Sequence, residues 1–115
     1  MLEAFQSIPR FQLIHGETPL FPMENYSKKF GRHLFIKRDD LNGVGAGGNK
    51  VRKLEYLLHE ALQQGHRSVV TGGGLQSNHA AATALCALRA GLKPFLALTE
   101  SVPIKTTHYE HGELF

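Results

Sequence analysis

Residues 66–99 read HRSVVTGGGLQSNHAAATALCALRAGLKPFLALT, and the order of elements in this stretch decides the fold. Ser68-Val69-Val70 is a short β-branched run of the kind buried in a sheet. It leads into Gly72-Gly73-Gly74-Leu75-Gln76-Ser77-Asn78, which reads as a glycine-rich turn. Ser77 or Asn78 caps the helix that follows. Its interior, Ala80 to Leu88, is small and apolar enough to pack closely on a sheet, and Gly91 is placed to end it. Phe95-Leu96-Ala97-Leu98, within residues 93–99, supplies the next strand. Strand, helix and strand in that order predict parallel pairing through a right-handed crossover.

Upstream, Val51, Leu54, Leu58, Ala61 and Leu62 recur at three- and four-residue spacing, the mark of a helix with one apolar face. Asn49 stands at its N-cap and Gly65 at its C-terminal stop. Before it, residues 41–48 hold four glycines, Gly43, Gly45, Gly47 and Gly48, so the backbone there turns tightly or approaches something closely. Leu34-Phe35-Ile36 reads as a strand ended by Lys37-Arg38-Asp39-Asp40. The opening, punctuated by Pro9, Gly16, Pro19 and Pro22, reads as loop. The whole is an α/β pattern of three parallel strands alternating with two helices. The tail, residues 100–115, is polar and irregular except for Glu113-Leu114-Phe115, the start of a further unit.

A chain of 115 residues with 42% hydrophobic and 20% charged residues fits one globular domain with no internal repeat. Thirteen Lys+Arg against ten Asp+Glu leave +3, and the basic residues are scattered rather than striped, which excludes nucleic-acid binding as the default. Cys86 lies in an Ala/Leu run, a buried small hydrophobe with no disulfide partner. With no leader-like or membrane-length apolar segment, the expected setting is cytoplasmic, without a membrane partner.

Two glycine-rich turns lead toward helix N-termini, where exposed N–H groups and the helix dipole favour an anion. Gly43, Gly45 and Gly48 match the Gly-x-Gly-x-x-Gly dinucleotide fingerprint. However, the polar segment 37–42 separates them from their strand, and the second strand ends in Thr71 with no acid for a ribose. The phosphate-loop pattern fails as well, because Asn49 intervenes before Lys50 and Val51 stands where Ser or Thr is required. Around Ser77 there is no nucleophile elbow, since Leu75 and His79 occupy its glycine positions. His108 and His111, with Glu110 between them, could pair on a divalent metal, but the tail carries no third obvious ligand, and no metal site is expected. What remains is Lys50, a cation in the first turn of a helix, where the dipole disfavours it. It is either a solvated surface lysine beside Lys53 or an amine suited to attack a carbonyl cofactor, with Lys53 as its rival. Ser77 and Asn78 read equally as plain helix caps.

Thr18-Pro19-Leu20, Lys37-Arg38-Asp39-Asp40-Leu41, Gly47-Gly48-Asn49-Lys50 followed by Arg52-Lys53-Leu54-Glu55, and Gln76-Ser77-Asn78-His79 together resemble one family. It is that of the pyridoxal-phosphate enzymes related to D-cysteine desulfhydrase and 1-aminocyclopropane-1-carboxylate deaminase, within the tryptophan synthase β-like fold, a three-layer parallel-sheet α/β architecture. The resemblance implies that Lys50 carries pyridoxal 5'-phosphate and then acts as general base or acid. It gives Asn49 and Asn78 to the cofactor, with Asn78 on its phenolic oxygen. Ser77, Asn78 and His79 would take the substrate carboxylate through backbone N–H groups and the Ser77 hydroxyl, with Ser77 also catalytic. His79 resembles the desulfhydrase side of the family, whereas the cyclopropane deaminases usually show Gln there; Ala80-Ala81-Ala82 departs from the bulkier polar residues expected next.

The implied activity is elimination of sulfide and ammonia from D-cysteine, or deamination of a related small amino acid, by an enzyme that is a homodimer when complete. Residues 1–50 would begin a large cofactor-binding domain and residues 51–115 a small α/β domain. The family's enzymes are much longer, so the expectation is an N-terminal part. It would lack the cofactor-phosphate loop, expose apolar faces, and be marginally folded and inactive by itself. The alternative is a truncated, non-catalytic α/β module that binds a small anion or a partner chain at the turn from Gly72 to Asn78.

Overall fold

The computed structural model describes residues 7–45 and 47–100. Strand β1 (Leu20–Pro22), helix α1 (Glu24–Phe30) and strand β2 (Phe35–Lys37) come first. A 3-10 turn (Asp39–Leu41) then leads to α2 (Lys50–Gln63), β3 (Ser68–Gly74), α3 (Asn78–Arg89) and β4 (Lys93–Thr99).

The parallel unit expected over residues 68–99 is present: β3 and β4 pair in parallel from Ser68↔Lys93 to Gly74↔Thr99. One expectation about it is corrected. Gly72, Gly73 and Gly74 belong to the strand, opposite Ala97, Leu98 and Thr99, and the turn is confined to the residues after them. Glycine here leaves room for a neighbour: a methyl on Gly73 would lie 2.6 Å from the Ser77 hydroxyl oxygen.

Both long helices end as their glycines predict. The Gly65 and His66 N–H groups donate to Leu62 and Ala61 carbonyls, and those of Gly91 and Leu92 to Leu88 and Ala87, so each end closes in a Schellman motif. Ser77 caps α3, its Oγ accepting from the Ala80 N–H at 3.1 Å. Asn49 does not cap α2: its backbone is already helical and its side chain makes no capping bond.

Helix α3 packs against β3 and β4 on one side and α2 on the other. Val51, Leu54 and Leu58 of α2, Ala82, Cys86 and Ala87 of α3, and Leu13, Ile14, Val44 and Leu92 form the core. Cys86 is fully buried, as its Ala/Leu surroundings imply. Residues on both sides of position 50 share this core.

The strand over residues 34–36 is found at Phe35–Lys37, but it does not join the parallel pair. It runs antiparallel to β1, with Phe21 opposite Ile36, and α1 fills the connection. The reading of three parallel strands is therefore corrected to a parallel pair plus an antiparallel pair. β1 was hidden because it is three exposed residues ending in Pro22, with no alternation to reveal it. Glu113-Leu114-Phe115 and the His108–His111 cluster lie outside the described residues.

Candidate active site

The segment from Asp39 to Lys50 is folded back on itself by its own polar groups. Asn42, buried, donates from Nδ2 to the Gly48 carbonyl at 2.8 Å and accepts at Oδ1 from the Val44 N–H at 3.0 Å. The Gly48 N–H donates to the Asp39 carbonyl and that of Gly47 to the Val44 carbonyl, at 2.8 and 2.9 Å. Gly47 has φ +75, and a Cβ on it would run into the Asp40 backbone. Only glycine lets the loop close here. The closure delivers Lys50 as the first residue of α2, half-buried.

Two further anchors hold α2. Arg52 grips Asp39 with both arms, Nε and Nη2 each 2.7 Å from a carboxylate oxygen. Thr18 bridges the pair, its Oγ1 donating to Asp39 at 2.8 Å and accepting from Arg52 at 3.0 Å, while Lys37 Nζ donates to the Thr18 carbonyl at 2.5 Å. The Arg52 guanidinium, helped by Thr18, holds the Asp39 carboxyl at about 2. On the core side Glu55, only 2% exposed, accepts at Oε1 from the Leu13 and Ile14 N–H groups at 2.8 and 2.9 Å. Arg10 lies 3.6 Å from its other oxygen.

Helix α3 packs against α2. His79 is pushed below its ordinary pKa by burial first, then by the positive charges of Lys53 and Lys50. Its Nδ1 is buried and without a partner among the described residues. The Thr83 hydroxyl donates to the His79 carbonyl at 2.8 Å and fixes this turn. Since Ser77 Oγ meets the Ala80 N–H, the Asn78 and His79 N–H groups are the open donors of the helix start. The Ser77 N–H is not among them, because it donates to the Gly74 carbonyl at 3.0 Å; of Ser77 only the hydroxyl proton is left to give. The expectation of three backbone donors is corrected to two. Asn78 is exposed, as is Asn49.

Packing sets α2, which opens on Lys50, against α3, which begins with Asn78 and His79 after the Ser77 cap. A half-buried amine, an unpartnered imidazole nitrogen and two open N–H donors fit an aldehyde cofactor whose substrate carries a carboxylate. Asn42, Asp39, Arg52, Thr18 and Glu55 were not singled out as positioning groups by the sequence. Asn42 acts within its own loop, two and six positions away, and the others act between residues 13 to 42 positions apart, so neither leaves a periodic signal.

These features define an α/β protein with a lysine at the start of one helix and two open backbone N–H groups at the start of the helix packed against it. The chain matches the pyridoxal-phosphate dependent enzyme family over residues 11–110 and belongs to it. A Pyrococcus horikoshii protein named "Putative 1-aminocyclopropane-1-carboxylate deaminase" is 48% identical over 97 residues, 84% of this chain and 30% of that protein. The D-cysteine desulfhydrase of Salmonella paratyphi B is 46% identical over 99 residues, 86% of this chain and 30% of the enzyme. A solved structure described as an ACC deaminase homologue superposes with a TM-score of 0.79 at 47% identity, over 84% of this chain and 30% of that one. The family and its α/β fold type are as the motifs implied. The chain spans about 30% of the length of the curated relatives it matches.

Proposed function

We propose that this chain supplies the cofactor lysine and the carboxylate-binding turn of a pyridoxal-phosphate enzyme acting on a small amino acid. The reaction is elimination of sulfide and ammonia from D-cysteine, giving pyruvate with uptake of one water, or deamination of a related substrate. The observation that carries the reading is the packing of α2, which opens on Lys50, against α3, whose His79 Nδ1 is buried and unpartnered among the described residues.

In this reading Lys50 would hold the cofactor through its amine and, when that amine is free, would take and return a proton at the substrate carbon. The cofactor, when bound, supplies the electron sink for that carbon. Asn78 would donate from its side-chain amide to the cofactor's phenolic oxygen. The Asn78 and His79 N–H groups and the Ser77 hydroxyl grip the substrate carboxylate, aided by the positive end of α3.

The test is covalent capture. The purified protein is incubated with pyridoxal phosphate, reduced with borohydride, digested and mapped by mass spectrometry. The reading expects the pyridoxyl group on Lys50, and its loss from that peptide in Lys50→Ala. Capture only on exposed lysines such as Lys29 or Lys93, undiminished in Lys50→Ala, would overturn it.

A further inference from the structure

Two amines, not one, stand in the first turn of α2: Lys50 opens the helix and Lys53 follows three residues on. Both charges act on the His79 imidazole of the neighbouring helix. They stand one helical turn apart on α2, so proximity to α3 alone does not select which of them holds an aldehyde. The selection requires that α2 be fixed in roll about its own axis.

The structure contains such a fixture on the far flank of the helix. Arg52 lies two residues beyond Lys50, about 200° around the helix from it. Relative to the buried stripe of Val51, Leu54 and Leu58, the two border the core on opposite sides. Arg52 is tied there by a two-armed ion pair to Asp39 and a shared hydroxyl from Thr18. Asp39 also accepts at its carbonyl from the Gly48 N–H, two residues before Lys50. The same residue therefore grips the helix on one side and the loop feeding its first turn on the other. With the flank pinned, Lys50 is held half-buried while Lys53 remains in solvent.

We infer that the Thr18–Asp39–Arg52 cluster is a positioning device that sets the roll of the first turn of α2 and thereby selects Lys50 over Lys53. The inference rests on the cofactor-lysine reading above, but its geometry is measurable without the cofactor. Arg52 suits the task because a planar guanidinium forms two parallel bonds to one carboxylate, fixing orientation as well as distance; a lysine in its place is a single point of attachment.

The experiment reads the ratio of label on Lys50 to label on Lys53 in wild type, Arg52→Gln, Asp39→Asn and Arg52→Lys. Each protein is labelled in two ways: trace acetic anhydride without cofactor, and pyridoxal phosphate with borohydride. Far-UV circular dichroism confirms folding. In the wild type, acetylation should favour exposed Lys53 and pyridoxyl should favour Lys50. Arg52→Gln and Asp39→Asn should move both ratios toward unity by about tenfold, with the circular dichroism unchanged and Arg52→Lys intermediate. Wild-type ratios in Arg52→Gln would overturn the positioning role while leaving the cofactor reading intact. If Arg52→Gln does not fold, wild-type ratios in Arg52→Lys overturn it equally. A shifted acetylation ratio with no pyridoxyl on Lys50 in any protein would overturn the cofactor reading and support the fixture.

Discussion

Asp39 sits where three segments meet: it takes two bonds from Arg52, one from the Thr18 hydroxyl, and at its carbonyl one from Gly48. Those donors hold its carboxyl at about 2 against an ordinary 3.8. A folded value below the unfolded one means that the carboxylate contributes stability above pH 3.8, and that this contribution is lost as pH falls through 2. With the Arg52 side of the pair partly in solvent, at neutral pH it amounts to about 1 kcal/mol. Urea denaturation of wild type and Asp39→Asn at a series of pH values checks this. The gap between the two should be constant from pH 7 to 4 and narrow between pH 4 and 2, whereas a gap independent of pH across that window would mean that Arg52 does not stabilise the ionised carboxylate. The neighbouring Arg38–Asp40 pair is on the surface and is expected to add little to that window.

At the scale of elements, stability should follow the apolar face that the spacing on α2 revealed. Leu58 is fully buried against α3 and the N-terminal segment, while adjacent Leu57 is half-exposed. Leu58→Ala should cost about 2–5 kcal/mol in a denaturation experiment, and Leu57→Ala no more than about 0.5 kcal/mol. Equal losses would mean that the helix face is assigned wrongly. What was legible here was whatever repeats locally: the 3–4 spacing of α2, the small apolar interior of α3, the two glycine stops and the Ser77 cap. What was not legible depends on partners distant in sequence. Phe35–Lys37 carried a strand signal but nothing to say that its neighbour would be Leu20–Pro22 rather than β3. Glu55 read as a polar residue inside a motif, yet it lies in the core because two backbone N–H groups from residues 13 and 14 need an acceptor there. The lysine motif and the Ser77 turn were visible as sequence, but the packing of the two helices that carry them was not.

At the scale of the molecule, the described fold covers one face of its parallel pair and leaves the other bare. Val69 and Pro94 turn toward α3, and Val70 and Phe95, opposite each other in register, turn away. Val70 is 75% exposed and Phe95 47%. An uncovered apolar strip on a two-stranded sheet, whose outer edges also carry unpaired backbone groups, favours association between molecules. The purified chain should therefore associate with rising concentration and bind an apolar dye. Placing charge on the bare face, with Val70→Lys and Phe95→Lys together, should shift sedimentation toward the monomer. Because neither side chain contributes to the core, the same double change should leave the unfolding midpoint close to wild type. Unchanged association would move the sticky surface to the exposed aromatic residues Tyr26, Phe30 and Phe35 around α1, for which Phe30→Ser is the corresponding substitution. A fallen midpoint in the Val70/Phe95 variant would instead show that the outer face is packed in solution, against another copy.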